Sequence, residues 1–210
     1  MTRRILLIGN SHTLRNDLAY MVEEMIRQER PLDFIEIAVI AHDRATLDEH
    51  LQAPMILRRL AEGWSHVCIQ PHSDRPITHP DKLAFNVGEI ARMARESDAV
   101  PLLVMNWCKA HLPHTQLAIS SSICQIAEQV GIGVVPVGLI WEKCRQLFPE
   151  IPLYERDNRH ALPIGSWLYA RALTAAILGL PPTWVPKYRS PEIDADQLKK
   201  VRTMNLVDIS

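Results

Sequence analysis

Ser11 stands where a serine could act as a nucleophile. It follows Gly9 and Asn10, at the point where the apolar run of residues 5–8 gives way to a helical pattern. A serine in such a turn exposes its Oγ atom and has the backbone N–H groups of a helix start nearby, which suits a nucleophile that needs oxyanion donors. The alternative is that Ser11 or Thr13 only caps the helix.

Asp157 and His160 lie three residues apart in a loop before the last strong helical pattern. A nucleophilic serine needs an imidazole base within hydrogen-bond reach and a carboxylate that holds the imidazole in the right tautomer and orientation. One Asp-x-x-His loop can supply both groups. The alternative is a surface loop in which Asp157 serves only as a cap.

Apolar runs alternate with helical patterns along the whole chain. The strands and helices that they predict must position Ser11, Asp157 and His160. Strands are expected at residues 5–8, 34–40, 65–70, 100–106 and 134–137. Helices are expected at residues 14–29, 46–62 (interrupted at Pro54), 82–96, 116–130 and 164–178. The pattern predicts an α/β protein: a five-stranded parallel sheet with helices on both faces, in a three-layer α/β/α sandwich.

In such a sheet the carboxyl ends of the strands share one edge, and ligands bind there. The polar residues that follow each strand are therefore expected to converge. After strands two, three and four these are Arg44, Ala45, Gln70, Ser73, Asn106 and Trp107. Asn106 and Trp107 are expected to line a pocket, with a packed Trp beside a structural Asn as the alternative.

Composition excludes several classes of protein. The chain is 47% hydrophobic and 22% charged, with mean hydropathy −0.05, which is typical of a globular protein with one sizeable core. Its 23 Lys and Arg nearly balance its 24 Asp and Glu, so charge gives no reason to expect nucleic acid or a membrane surface as partner. The longest apolar stretch, residues 130–141, is well short of the roughly 20 residues of a spanning helix.

A cytoplasmic location is expected. The first apolar run breaks after Ile8, too early for a signal peptide. The four cysteines are widely spaced and lie in or beside apolar segments, which favours buried free thiols in a reducing compartment. Residues 1–180 are expected to form one domain. The Pro-rich and charged residues 181–210 are expected to wrap that domain or to reach another subunit, a disordered tail being the alternative.

Two blocks of the sequence resemble those of the SGNH (GDSL-like) hydrolases. Residues 5–13, Ile-Leu-Leu-Ile-Gly-Asn-Ser-His-Thr, are similar to the first block. Residues 157–168, Asp-Asn-Arg-His-Ala-Leu-Pro-Ile-Gly-Ser-Trp-Leu, are similar to the last, in which a glycine follows the histidine by five residues. The resemblance implies a flavodoxin-like sandwich and a serine esterase, with Ser11 as nucleophile, His160 as general base and Asp157 orienting His160.

The middle blocks depart from that family's pattern. No glycine follows strand two, where Arg44 and Ala45 stand instead. The usual Gly-x-Asn-Asp block is replaced by Gln-Pro-His-Ser at residues 70–73, which looks like a branch of the family with Gln and a nearby Ser in that place. The resemblance then implies three oxyanion donors: the Ser11 N–H, a backbone N–H at Arg44 or Ala45, and the side-chain amide of Gln70.

The expected reaction is hydrolysis of small acyl esters, including O-acetyl groups on carbohydrate, through an acyl-enzyme. The alternatives are a binding protein that has lost catalysis and an acyltransferase that uses the same residues. No metal or cofactor is expected; the alternative is a metal site formed by His72, His79, His111 and His114. Asp43 and Arg44 are expected to form a solvated ion pair, with a substrate clamp as the alternative. The oligomeric state stays open.

Overall fold

A computed structural model describes residues 1–206 of the chain. Five parallel strands form one sheet in the order β2-β1-β3-β4-β5. The strands are β1 (Thr2–Gly9), β2 (Phe34–Ala41), β3 (His66–Ile69), β4 (Val100–Val104) and β5 (Gly133–Val135). The predicted α/β class and five-stranded parallel sheet are confirmed, and the strand order is that of flavodoxin-like folds.

Ten α-helices surround the sheet within these residues. They are α1 (Ser11–Leu14), α2 (Leu18–Glu29), α3 (Leu47–Gln52), α4 (Pro54–Leu60), α5 (Arg75–Thr78), α6 (Pro80–Glu96), α7 (Gln116–Val130), α8 (Val137–Leu147), α9 (Pro163–Leu178) and α10 (Ala195–Arg202). Pro54 begins α4, which divides the helical pattern of residues 46–62 as expected. Val137, predicted to end strand five, instead begins α8.

The two faces of β1 belong to two separate hydrophobic clusters. Ile5 and Leu7 pack in one cluster, which includes side chains of α2, α8 and α9. Leu6 and Ile8 pack in the other, which includes side chains of α4, α6 and α7. Because successive strand residues point to opposite faces, this division places helices on both sides of the sheet, in three layers.

Residues 181–206 lie against α9. Tyr188, Leu198 and Met204 are buried in the same hydrophobic cluster as that helix. Trp167 on α9 donates a hydrogen bond from Nε1 to the Tyr188 carbonyl, 3.1 Å away. Residues 207–210 of the expected tail lie outside the described residues, and the domain boundary at residue 180 stays a prediction.

The structure bears on two further expectations: that the four cysteines are buried and that no helix spans a membrane. Cys68, Cys108 and Cys144 are buried free thiols, but Cys124 is exposed, so its predicted burial was wrong. The buried positions of α7 include Ile123, and helical geometry turns the next residue outward. Among residues 1–206 there is no helix of the length and apolarity that a membrane span requires.

Candidate active site

The turn from β1 into α1 presents Ser11 at the carboxyl end of β1, which lies between β2 and β3 in the sheet. Asn10 caps α1, because its Oδ1 accepts a hydrogen bond from the His12 N–H at 3.1 Å. The alternative caps, Ser11 and Thr13, are therefore not used. Ser11 is the first residue of α1, so its own N–H has no helical acceptor.

Gly9 is required by close packing within this turn. A Cβ atom at position 9 would lie 2.3 Å from Thr13 Oγ1 and 2.5 Å from Gln70 Oε1. Its carbonyl accepts a hydrogen bond from His50 Nε2 at 2.7 Å. Burial lowers the pKa of His50, which keeps its ring neutral beside this carbonyl. Nothing in the sequence pattern marked His50, which reaches the turn from α3.

The structure brings together the three residues that the sequence proposed for chemistry. Ser11 Oγ lies 2.9 Å from His160 Nε2, although the two residues are 149 positions apart. His160 Nδ1 is hydrogen-bonded to Asp157 Oδ2. The result is a continuous chain of hydrogen bonds from Ser11 through His160 to Asp157, with the geometry that general-base activation of a serine requires.

Asp157 is also held by its own loop. Its Oδ1 accepts hydrogen bonds from the backbone N–H groups of Arg159 and His160, at 2.9 and 3.0 Å. Partial burial works against ionisation of the carboxyl group, but the bonds from the His160 backbone, the His160 ring and the Arg159 backbone outweigh it. The pKa of Asp157 is therefore well below its usual value, and the carboxylate stays charged.

Neighbouring elements fix the position of this loop. Trp107 Nε1 donates to the Arg159 carbonyl at 2.9 Å. Asn16 Nδ2 donates at 2.8 Å both to the Ala161 carbonyl and to Ser166 Oγ. These bonds tie the loop to the end of β4, to the segment after α1 and to the start of α9, so His160 has little freedom to turn away from Ser11.

The segment after β2 offers a backbone donor at Arg44. Arg44 has φ of 60°, in the left-handed region that glycine adopts most readily. Its N–H has no acceptor within residues 1–206, whereas the Ala45 N–H donates to the His42 carbonyl at 3.2 Å. Of the two positions expected after strand two, Arg44 therefore has a donor to offer and Ala45 does not.

Gln70 does not have the orientation that was expected of an oxyanion donor. Its Oε1 accepts from the Asn10 N–H and from Thr13 Oγ1, both at 3.0 Å. Its Nε2 donates to the Pro71 carbonyl and to Asn106 Oδ1. Both ends of the buried amide are engaged, so the expected role at an oxyanion was wrong. The side chain instead holds the turn that carries Ser11.

Asn106 and Trp107 follow the packed alternative. Asn106 is 1% exposed, and its Nδ2 donates to the Pro71 carbonyl at 2.6 Å. Trp107 is 3% exposed and stacks on Trp141 with ring centroids 4.0 Å apart. Trp107 lines a groove together with Cys108 and Lys109. Neither Asn106 nor Trp107 lines the cleft at Ser11.

The cleft at Ser11 is small, and its lining comes from the segments that follow β1, β2 and β3 and from the loop of Asp157 and His160. It encloses about 170 Å³, open solvent included, and is lined by Asn10, Ser11, His12, Arg44, His72, Ser73 and Arg159. Ser73 thus lies where it was expected. A larger hollow of about 1050 Å³, open solvent likewise included, lies elsewhere, lined by residues such as Arg145 and Tyr154 and by none of the cleft residues.

His12 lies inside this site as a neutral ring. Burial, and then the charges of His160 and Arg159, lower the pKa of His12 to about 3. Its ring centroid lies 4.7 Å from that of Trp107 in an edge-on arrangement and 5.3 Å from that of His160. His12 therefore fills space beside His160 without adding charge near neutral pH.

One group of potential metal ligands occurs in the described part of the chain. Side-chain ligand atoms of Glu155, Asp157 and His160 lie within 4.8 Å of one another. Asp157 and His160 are hydrogen-bonded to each other, and Glu155 forms an ion pair with Arg15 at 3.6 Å. The histidines at 72, 79, 111 and 114 form no such group within residues 1–206.

Several solved structures are similar to this chain. A candidate SGNH hydrolase from Slackia heliotrinireducens is 26% identical over 83% of this chain and 98% of its own, with a TM-score of 0.71. A DUF4886 family protein from Bacteroides uniformis is 20% identical over 96% of this chain and 92% of its own, with a TM-score of 0.77. A catalytic mutant of an acetylxylan esterase from Geobacillus stearothermophilus is 17% identical over 85% of this chain and 95% of its own, with a TM-score of 0.66. No protein-family model and no curated protein matches the sequence. The chain has the fold of the SGNH hydrolases.

Proposed function

We propose that this protein is a serine esterase that hydrolyses small acyl esters. The observation that carries the proposal is the hydrogen-bonded chain Ser11–His160–Asp157, which begins with the 2.9 Å contact between Ser11 Oγ and His160 Nε2. The similarity of the fold to esterase structures supports the same class of reaction.

The reaction begins when Ser11 Oγ attacks the ester carbonyl carbon and its proton passes to His160 Nε2. Asp157 stabilises the imidazolium that forms, because its carboxylate already accepts the hydrogen bond from Nδ1. The tetrahedral intermediate collapses, the proton passes to the leaving alcohol oxygen, and Ser11 retains the acyl group. A water molecule, deprotonated by His160, then releases the acid and restores Ser11.

Two backbone groups are proposed as oxyanion donors: the N–H of Ser11 and the N–H of Arg44. Both belong to residues that line the cleft, and both lack an acceptor among the described residues. Donors fixed before the reaction stabilise the developing charge without reorganising. The left-handed conformation of Arg44, unfavourable for a side chain with Cβ, fits a position held for such a purpose.

The substrate is proposed to carry a small acyl group such as acetyl. A cleft of about 170 Å³ leaves little room beside Ser11 for a long acyl chain. An O-acetylated carbohydrate is the favoured class, because one structure with this fold is an acetylxylan esterase.

The first test is intact-mass spectrometry after exposure to a small fluorophosphonate, which labels an activated serine. One adduct is expected on the wild-type protein and on Ser73→Ala, and none on Ser11→Ala. Ser73 is the matched control because it is the other serine of the cleft. An unlabelled, folded wild-type protein would contradict the esterase proposal and favour a binding protein. Competing alcohols added during ester turnover would reveal acyl transfer in place of hydrolysis.

A further inference from the structure

Two arginines line the cleft at Ser11, and neither is neutralised. The side chains of Arg44 and Arg159 form no ion pair and donate no hydrogen bond to any group of residues 1–206. The Nε atom of Arg159 is buried without an acceptor. A buried donor of a charged group costs free energy when it lacks a partner, so an acceptor bound to the rest of this guanidinium, which lines the cleft, would offset part of that cost.

The nearby carboxylates are engaged elsewhere. Asp157 accepts from His160, and Asp74, beside the cleft residue Ser73, forms an ion pair with Lys109 at 3.2 Å. Asp43 precedes Arg44, but the ion pair expected between these two residues is not formed within 4 Å. Asp43 does not line the cleft either. The cleft lining therefore holds two guanidinium groups and no carboxylate.

Arg159 is placed firmly with respect to the proposed nucleophile. Its backbone N–H donates to Asp157 and its carbonyl accepts from Trp107, so both sides of the residue are fixed beside His160. The charge of Arg159 reaches the cleft interior: after burial, it is among the causes that lower the pKa values of His12 and His72. Because Arg159 and Ser11 line the same cleft, one small substrate could place an anionic group at Arg159 and its ester carbonyl at Ser11.

We propose that Arg159, assisted by Arg44, binds an anionic oxygen group on the alcohol part of the ester, so that the preferred substrates are esters of acidic alcohols such as uronic or hydroxy acids. A planar guanidinium can hold a carboxylate through two parallel hydrogen bonds, which orients the substrate as well as attracting it. The small cleft leaves the acyl part little room for a further charged group. This inference rests on the proposed esterase function and adds its substrate class.

The test compares para-acetoxybenzoate with its neutral analogue of nearly the same shape, para-acetoxybenzamide, each corrected for its rate of alkaline hydrolysis. We expect the wild-type protein to prefer the anionic ester in kcat/KM. In Arg159→Gln this preference is expected to fall about 10- to 100-fold, mainly through KM, which corresponds to the loss of a charge-assisted hydrogen bond. Arg58→Gln is the matched control, because Arg58 is an exposed residue of α4 that does not line the cleft.

The outcomes separate the two proposals. Hydrolysis of both esters without preference, or an equal preference in Arg159→Gln and Arg58→Gln, would overturn the anion site and leave the esterase intact. If neither ester is hydrolysed and no fluorophosphonate adduct forms, the esterase proposal fails, and calorimetric binding of benzoate tests the site directly. Binding that Arg159→Gln alone abolishes would support the site, and no binding to the wild-type protein would overturn it.

Discussion

At the scale of single residues, the chemistry proposed from the sequence depended on three side chains whose roles follow from their type. Ser11, His160 and Asp157 each have one plausible part in a nucleophilic mechanism, and the structure places them in contact. Gln70 was different, because an amide carries both donors and acceptors. Its direction depends on partners such as Asn10 and Asn106, which only the folded chain brings to it.

Replacing Gln70 tests its role as a structural residue. Gln70→Ala leaves the buried Asn10 N–H and Thr13 Oγ1 without their acceptor. We expect the free energy of unfolding to fall by about 1–3 kcal/mol, as measured by urea denaturation. Turnover should fall as well, because the Ser11 turn loses its support. Unchanged stability together with a large loss of kcat would contradict this role and restore Gln70 as a donor to the oxyanion.

At the scale of elements, hydrophobic periodicity predicted the strands and the longer helices but missed α8. The apolar residues that open it, Val137 to Ile140, are separated from β5 only by Pro136 and look like a continuation of the strand. The helix expected from residue 14 begins only at Leu18, because Asn16 and Asp17 adopt left-handed conformations. Asn16 is thereby free to bind the loop before α9, a contact that periodicity cannot reveal.

Gly165, five residues after His160, links the start of α9 to the loop of the site. A Cβ atom there would lie 2.5 Å from a ring carbon of Trp141 and 2.8 Å from the Leu153 carbonyl. Since the helix start cannot avoid both, we expect Gly165→Ala to lower the free energy of unfolding by about 1–3 kcal/mol and to lower kcat by displacing His160.

Gly88 provides the matched control for that change. It lies within α6, and the nearest atom to an added Cβ is 3.9 Å away. Gly88→Ala is therefore expected to raise the free energy of unfolding by up to about 1 kcal/mol, because alanine favours a helix. Urea denaturation and ester turnover of both variants test this expectation. Equal effects at the two glycines would show that close packing around Gly165 does not cause the loss of stability and of kcat.

At the scale of the whole molecule, the burial of a side chain in the candidate site affects the free energy of unfolding of the entire fold. Residues 181–206 complete the hydrophobic cluster that includes α9, although their sparse apolar residues among prolines gave no periodic signal in the sequence. The site itself contains His12, buried between His160 and Trp107. Because such a ring stays neutral when folded and takes up a proton when unfolded, it couples stability to pH.

The sign of that coupling follows from the pKa of His12, which burial lowers to about 3 in the folded protein. The unfolded chain binds a proton at its ordinary pKa of about 6.5, so stability falls as pH falls from there toward the folded value. Between about pH 7.5 and about pH 5, His12 alone should remove about 2 kcal/mol from the free energy of unfolding. His50 and His66, whose pKa values burial also lowers, add to the same trend.

Urea denaturation at the two pH values isolates the contribution of His12. His12→Gln removes its titration, so this variant should lose about 2 kcal/mol less than the wild-type protein over the same interval. His114→Gln serves as control, because His114 is exposed, and it should keep the wild-type dependence. Equal pH dependence in all three proteins would mean that the pKa of His12 is the same in the folded and the unfolded chain, which would contradict the lowering of this pKa by burial. A reduced dependence in His12→Gln alone would establish that acid destabilises the whole fold through a residue next to Ser11.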